Sequence, residues 1–288
     1  MALHPITSFC NQKCIFCSAY QRDDDLFDIK DFTKEILSDR DPLFVISGGE
    51  PLSVGIDNLI YILNILNKQS KTTEIQTNAL LIENIPYEKL HLLISLLNRN
   101  KGYFNINLSA HNKTTDYKLT GVKNGFEKRL SAIKTLSKNG ATIRLTYVIN
   151  SINYKHISDF SKLVVNKLPF INWVQFSFVK GIGKAKDNRN VIPKYTDVSP
   201  YLIKAISILD RHHIKFNTDH IPLCFLGKYW ESNVDVNKMR NGIKGDYLLE
   251  KEKIKDCDGC KFYSICSGPR KDYIKVYKKG SLKKSNER

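Results

Sequence analysis

From residue 4 to residue 178 the chain alternates between short β-prone runs and longer helical ones, and this alternation constrains the fold more than any other feature. Strands are predicted over 4–6, 43–47, 73–77, 104–109, 141–149 and 173–178, with helices over 56–66, 87–97, 125–139 and 154–165. Parallel neighbours need a crossover, usually helical, and such crossovers are right-handed. The expected class is therefore α/β, a partial (β/α)6 TIM-type barrel or its open-sheet counterpart, with a small C-terminal cysteine-rich extension. Functional groups in such folds collect on the loops at the carboxyl ends of the strands. Here those loops hold Cys10, Cys14 and Cys17, then Gly48-Gly49-Glu50-Pro51, Thr77-Asn78, Ser109-Ala110-His111 and Gly181-Ile182-Gly183.

Residues 181–200 lose periodicity and carry Gly, Asn and Pro, as a linker or a substrate-facing loop does. A helix over 201–212 and a strand over 215–218 follow, after which 225–255 reads as irregular and charged and 278–288 as a frayed basic tail. The expected division is 1–180 as the barrel, 181–220 as linker with a bridging helix and strand, and 221–288 as the cysteine-rich region. No internal repeat and no low-complexity tract interrupts it.

With 288 residues, 42% of them hydrophobic, the chain can bury a proper core. No run approaches the roughly eighteen apolar residues of a membrane span, and the N-terminus has neither the charged start nor the apolar stretch of a signal peptide. A cytoplasmic protein without membrane association is expected. The formal charge is +16, and residues 181–288 hold 23 Lys and Arg against 13 Asp and Glu. Such a field favours phosphate-bearing or carboxylate-rich partners, although no arginine-rich or aromatic-interleaved stripe accompanies it.

The seven cysteines fall as three at 10–17, one at 224 and three at 257–266. An odd, clustered set reads as metal ligation rather than a disulfide framework. The CxxxCxxC triplet is one thiolate short of a closed tetrahedral site. A structural zinc wants four protein ligands, whereas a cluster iron without a protein thiolate can accept a small molecule. The seven histidines, including His4, His111 and His212-His213, match no metal-ligand spacing and read as ordinary residues.

Cys10, Cys14 and Cys17, with Phe16 before the last cysteine, are followed after the second strand by Gly48-Gly49-Glu50-Pro51. In these motifs and in the order of elements through about residue 180 the sequence resembles the radical S-adenosylmethionine (radical SAM) superfamily. The resemblance implies that the three thiolates hold a 4Fe–4S cluster whose open iron chelates SAM. Reductive cleavage of SAM would then give a 5′-deoxyadenosyl radical that takes hydrogen from a substrate. It also implies that Phe16 and the Gly48, Gly49, Glu50, Pro51 run lie at SAM, with Glu50 toward its ammonium, and that Asn78, Ser109 and Arg144 meet its remaining polar groups. The residues alone allow other roles: a turn for Asn78, a strand-end cap for Ser109, a salt bridge on a barrel face for Arg144.

Cys224, Cys257, Cys260 and Cys266 supply four thiolates, enough to coordinate a second cluster fully and equally suited to zinc. The run from Cys257 to Pro269 resembles the core of the SPASM or twitch extensions of radical SAM peptide-modifying enzymes. A full SPASM domain has a further cysteine where this chain has Arg270, so a reduced extension with one auxiliary 4Fe–4S cluster is expected.

The resemblance makes a ribosomally made peptide the expected substrate, and an external donor such as flavodoxin or ferredoxin the expected electron source. Only nine residues precede Cys10, so leader recognition is expected from a separate protein or from the body of this one. RNA and a small anionic metabolite are the alternative substrates. A non-catalytic electron carrier or a zinc-stabilised nucleic-acid-binding module fits less well, since nothing near Cys10–Cys17 offers a fourth thiolate. With all seven thiols assigned to metal, no cysteine hydrogen donor is expected.

Overall fold

The computed structural model describes residues 3–19, 27–242, 248–278 and 282. Its centre is one parallel sheet in which each strand pairs with its predecessor: β1 Leu3–Thr7, β2 Leu43–Gly48, β3 Thr72–Thr77, β4 Tyr103–Asn107, β5 Ile143–Ile149, β6 Trp173–Phe178 and β7 Phe216–Asp219. The sheet thus has seven strands, one more than the six expected of the barrel. The segment expected at 215–218 adds itself to β6, with Val174 opposite Phe216 and Ser177 opposite Asp219.

Successive side chains of a strand point to opposite faces. Phe44, Ile46, Ile75, Phe104, Leu145 and Phe176 project into the hydrophobic core under the helices. The alternate positions, Glu74, Asn105, Arg144, Thr146 and Gln175, give the other face a polar character. Glu74 organises it, accepting from Gln76 Nε2 at 2.9 Å, from Asn105 Nδ2 at 2.8 Å, and from Arg144. Buried polar atoms that satisfy one another specify a sheet face without an apolar filling.

The helices α2 Ile56–Lys68, α3 Tyr87–Arg99, α5 Gly125–Lys138 and α6 Ile157–Lys167 cover the apolar face. Their buried residues recur at helical spacing, as Leu59, Ile62, Leu63 and Leu66 do in α2. Before residue 180, two further helices stand where the periodicity predicts none. α1 Ile29–Ser38 buries only Phe32 and Ile36, and α4 Lys113–Thr120 is polar and is set by its ends, the Asn112 cap and the left-handed Gly121. Beyond the short α7 Lys184–Asp187, α8 Tyr195–Arg211 starts six residues before the expected helix. Pro200 lies within α8, where burial of Tyr195 and Val198 outweighs its missing N–H.

The C-terminal region folds onto the barrel. α9 Val234–Arg240 stands in the stretch expected to be irregular, 225–255, and α10 Lys271–Tyr277 follows the last cysteine. Tyr273 stacks on Tyr195 at 4.0 Å between ring centroids and meets the ring of Phe178 in β6 edge-on at 6.0 Å. Of the basic tail expected at 278–288, only Lys278 and Leu282 are among the described residues. No helix among the described residues is long and apolar enough to cross a membrane.

Candidate functional site

β1 runs directly into the three-cysteine loop, and four other parts of the chain hold that loop. Gly49 donates to the Thr7 carbonyl at 2.6 Å and Glu50 to the Phe9 carbonyl at 2.7 Å. Lys13 and Ile15 donate to the carbonyls of Thr120 and Leu119 at the end of α4, and Lys184 donates to that of Cys17 at 2.9 Å. Asn78 Nδ2 reaches Asn11 Oδ1 at 2.7 Å and lies 3.8 Å from Cys10 Sγ.

The glycine pair earns its place through the chain's own backbone. A Cβ on Gly49 would stand 1.9 Å from the Phe9 carbonyl oxygen, and one on Gly48, whose φ is +114°, would stand 2.4 Å from that of Thr7. Gly183 passes Cys17 in the same way, its absent Cβ 2.4 Å from the Cys17 carbonyl. These close approaches lock the loop in register with the ends of β2 and β6.

Glu50 is wholly buried. Its Oε1 accepts from Leu52 N–H at 3.1 Å and Thr77 Oγ1 at 2.6 Å, and its Oε2 from Asn78 N–H at 2.7 Å. Burial pushes its carboxyl up, and these three donors oppose that. The carboxylate ties the β2 turn to the β3 turn. Pro51 opens the buried 3-10 turn that follows. Phe16 is 7% exposed and belongs to the hydrophobic core.

The thiols are half-buried and sense one another. The Cys14 thiol is pushed up to about 12, first by burial and then by Cys17 and Cys10. Burial raises Cys10 as well, with Glu50 and Cys17 adding to it. Three thiolates crowded in a partly dry loop need a cation, and a metal centre supplies it.

Ser109 and Arg144 have partners of their own. Ser109 Oγ accepts from Val148 N–H at 2.9 Å and the Ser109 carbonyl accepts from Asn153 Nδ2 at 2.8 Å, so the residue clips β4 to β5. Arg144 is the second residue of β5, four positions before Val148. At about 3.3 Å per residue that is roughly 13 Å toward the amino ends of the strands. There it pairs with Glu74 and covers the Tyr103 ring at 5.3 Å.

Arg129 also belongs to this site, although no motif marks it. It is 1% exposed, its Nε donates to the Asn78 carbonyl at 3.1 Å, and its Nη1 pairs with Asp116 at 2.6 Å. Burial raises the Asp116 carboxyl, and Arg129 works against that rise. The signal was present: Arg129 lies on the buried stripe of α5 with Phe126, Ala132, Ile133 and Leu136. A charge at an apolar position of a helix is a charge with a partner.

The second cysteine set also assembles. Cys224, in the 3-10 turn Leu223–Phe225, lines one pocket with Cys257, Cys260 and Cys266. Its thiol is pushed up to about 12, by burial first and then by Cys266, Cys260 and Cys257. Gly268 N–H points at Cys266 Sγ at 3.4 Å. Arg270 is buried and grips Asp272 and Glu250, while Asp272 Oδ2 accepts from Gly181 N–H at 3.0 Å. That cluster of charges joins the C-terminal region to the end of β6.

The fold recurs in solved structures. Streptococcus suis SuiB bound to S-adenosylmethionine superposes with a TM-score of 0.63 at 16% identity, over 97% of this chain and 74% of that one. Native anSMEcpe with bound AdoMet and Cp18Cys peptide gives 0.67 at 16% identity, over 98% and 91%. SuiB bound to its precursor peptide SuiA gives 0.59 at 16%, and there the chain spans 47% of SuiB's length. No curated protein sequence matches the chain. At these identities the likeness shows the fold. The sequence of residues 4–164, more than half of the chain, matches the radical SAM superfamily, and the protein belongs to that superfamily.

Proposed function

We propose that this protein is a radical SAM maturase that modifies an unreactive C–H position of a ribosomally made peptide. The carrying observation is the contrast between two cysteine sets: three thiols on the β1 loop, and four that line one cavity in the C-terminal region. Cys10, Cys14 and Cys17 would hold the SAM-binding 4Fe–4S cluster, which when bound and reduced supplies the electron that cleaves SAM to the 5′-deoxyadenosyl radical. Gly48, Gly49, Glu50 and Asn78 keep that loop in shape, with Phe16 and Pro51 packed behind it. Ser109 holds the β4 and β5 ends in register, and Arg144 closes the polar face further down.

Cys224, Cys257, Cys260 and Cys266 would hold an auxiliary 4Fe–4S cluster. The chain then divides into a barrel over 1–180, a bridging part over 181–220 whose β7 joins the barrel sheet, and a twitch-like extension over 221–288. A peptide substrate is supported by the structural neighbours solved with peptides, SuiB with SuiA and anSMEcpe with Cp18Cys. A flavodoxin or ferredoxin would deliver the electron, and a separate leader-binding protein would assist recognition.

Anaerobic reconstitution followed by reduction with SAM tests this reading. Production of 5′-deoxyadenosine, abolished by Cys14→Ala, is expected, together with iron and sulfide counts for two clusters. An intact first cluster that yields no 5′-deoxyadenosine sinks the enzymatic reading. Iron for one cluster, with zinc that Cys257→Ala removes, replaces the auxiliary cluster by a zinc site. The +16 charge keeps RNA as the second reading, and its mark is substrate binding that weakens steeply with salt.

A further inference from the structure

The loop after β4 brings His111 to two residues beyond β5, His156 and Asp159, that stand three positions apart in the sequence. His111 follows β4, His156 ends the 3-10 turn Tyr154–His156, and Asp159 stands in the first turn of α6. One ligand atom from each lies within 4.8 Å of those of the other two. The imidazoles stack with centroids 4.7 Å apart and planes 26° from parallel, and His156 Nδ1 is 3.3 Å from Asp159 Oδ2.

The scaffold beneath them is rigid. Asn150 and Asn153 are wholly buried, and Asn153 Oδ1 accepts from Asn150 N–H at 2.8 Å. Asn153 Nδ2 donates to the carbonyls of Ser109 and Val148 at 2.8 and 2.9 Å. The backbones that carry His111 and His156 are therefore stapled to each other two or three residues from the imidazoles.

His111 itself is incompletely engaged. Its Nε2 lies 2.6 Å from Asn112 Nδ2, while its Nδ1 is buried and has no hydrogen-bond partner among the described residues. A buried imidazole nitrogen without a partner, on a ring stacked against a second imidazole and with a carboxylate in reach of the pair, belongs to the donor set of a first-row transition metal. Bonds of about 2.0–2.2 Å set tetrahedral ligand atoms roughly 3.4 Å apart, so rotations of about an ångström close the site. His156 and Asp159 are 47% and 46% exposed and free to make them. Lys162, 3.9 Å from Asp159 Oδ1, is the nearby cation an incoming ion would displace.

We infer that His111, His156 and Asp159 form a binding site for a divalent ion of the zinc class, distinct from both cysteine sets and open at one position to water or a carboxylate. Ligation through His111 Nδ1 leaves the ring proton on Nε2, facing Asn112. Asn112 must then turn its oxygen toward that proton, although Oδ1 now caps α4 by accepting from Thr115 N–H at 2.9 Å. Asn112→Asp offers an acceptor to both and is expected to tighten the site, as carboxylates behind ligating histidines do.

The inference stands apart from the SAM chemistry. Its test is titration of the anaerobically reconstituted, cluster-loaded chain with Co²⁺, followed by absorption and by counting bound cobalt. One equivalent with a nitrogen and oxygen ligand spectrum is expected. Affinity should fall at least about tenfold in His156→Ala and in Asp159→Asn, and should rise in Asn112→Asp. Circular dichroism of these variants, two of them at half-exposed positions, verifies the fold. Cobalt uptake unchanged by His156→Ala, a thiolate-to-cobalt spectrum, or no stoichiometric uptake overturns the site.

Discussion

Gly49 lies against the carbonyl of Phe9 so closely that a methyl group could not be added: its Cβ would stand 1.9 Å from the oxygen. The turn after β2 and the lead into the cysteine loop are thus one piece of backbone structure. Gly49→Ala must push the loop away from β2. We expect destabilisation of about 1–3 kcal/mol or more, seen as a lower melting temperature, and less than half the wild-type iron after reconstitution. Wild-type iron content in the variant would refute the locking role.

Glu50 holds three donors from two turns. Glu50→Gln replaces one acceptor oxygen by an amide that must face Leu52 and Thr77 or Asn78, at a cost of about 1–3 kcal/mol. Chemical denaturation should show that loss, and SAM binding by equilibrium dialysis should weaken with it. A variant as stable as the parent, with weaker SAM binding alone, would instead make Glu50 a direct ligand contact.

The Arg129–Asp116 pair is buried on both sides, at 1% and 3% side-chain exposure. Asp116→Ala leaves the guanidinium uncompensated and should cost about 3–5 kcal/mol. Arg129→Met with Asp116→Leu should cost markedly less, because neither charge is then stranded. A double-mutant cycle on denaturant midpoints reads the difference. Additive losses would show that the two side chains act separately.

Glu250 links the C-terminal region to the barrel end through Arg270 and through Lys180, 3.6 Å away. Burial works to raise its carboxyl, but Lys180 and Arg270 outweigh it and hold the group below its ordinary 4.5. A depressed carboxyl contributes stability that is present above the ordinary value and lost as pH falls through the folded one. Acidification below about 4.5 should therefore loosen the extension. Trp230, whose ring lies 5.5 Å from that of Phe262, reports it by fluorescence in a Trp173→Phe background. Glu250→Gln should remove the acid step, and an identical acid profile in that variant would assign the step elsewhere.

Much of this protein is set by local sequence. The alternation of periods two and 3.6 specified the parallel α/β sheet, because apolar faces at those spacings can be buried in few ways. Cysteine spacing marked the three-thiol loop, and Gly48-Gly49-Glu50-Pro51 marked the turn that supports it. Only the tertiary structure decided the partners. It gave β7 to the sheet, carried Cys224 to Cys257, Cys260 and Cys266, placed Arg129 behind Asn78, and moved Arg144 to Glu74 at the far end of the strands. It also set His111 beside His156, which no spacing foretold. The physical reason is range. Periodicity and turn chemistry act over a few residues, whereas the pairing of a buried charge, a thiol or an imidazole depends on which loops the closed fold brings to the same end of the sheet.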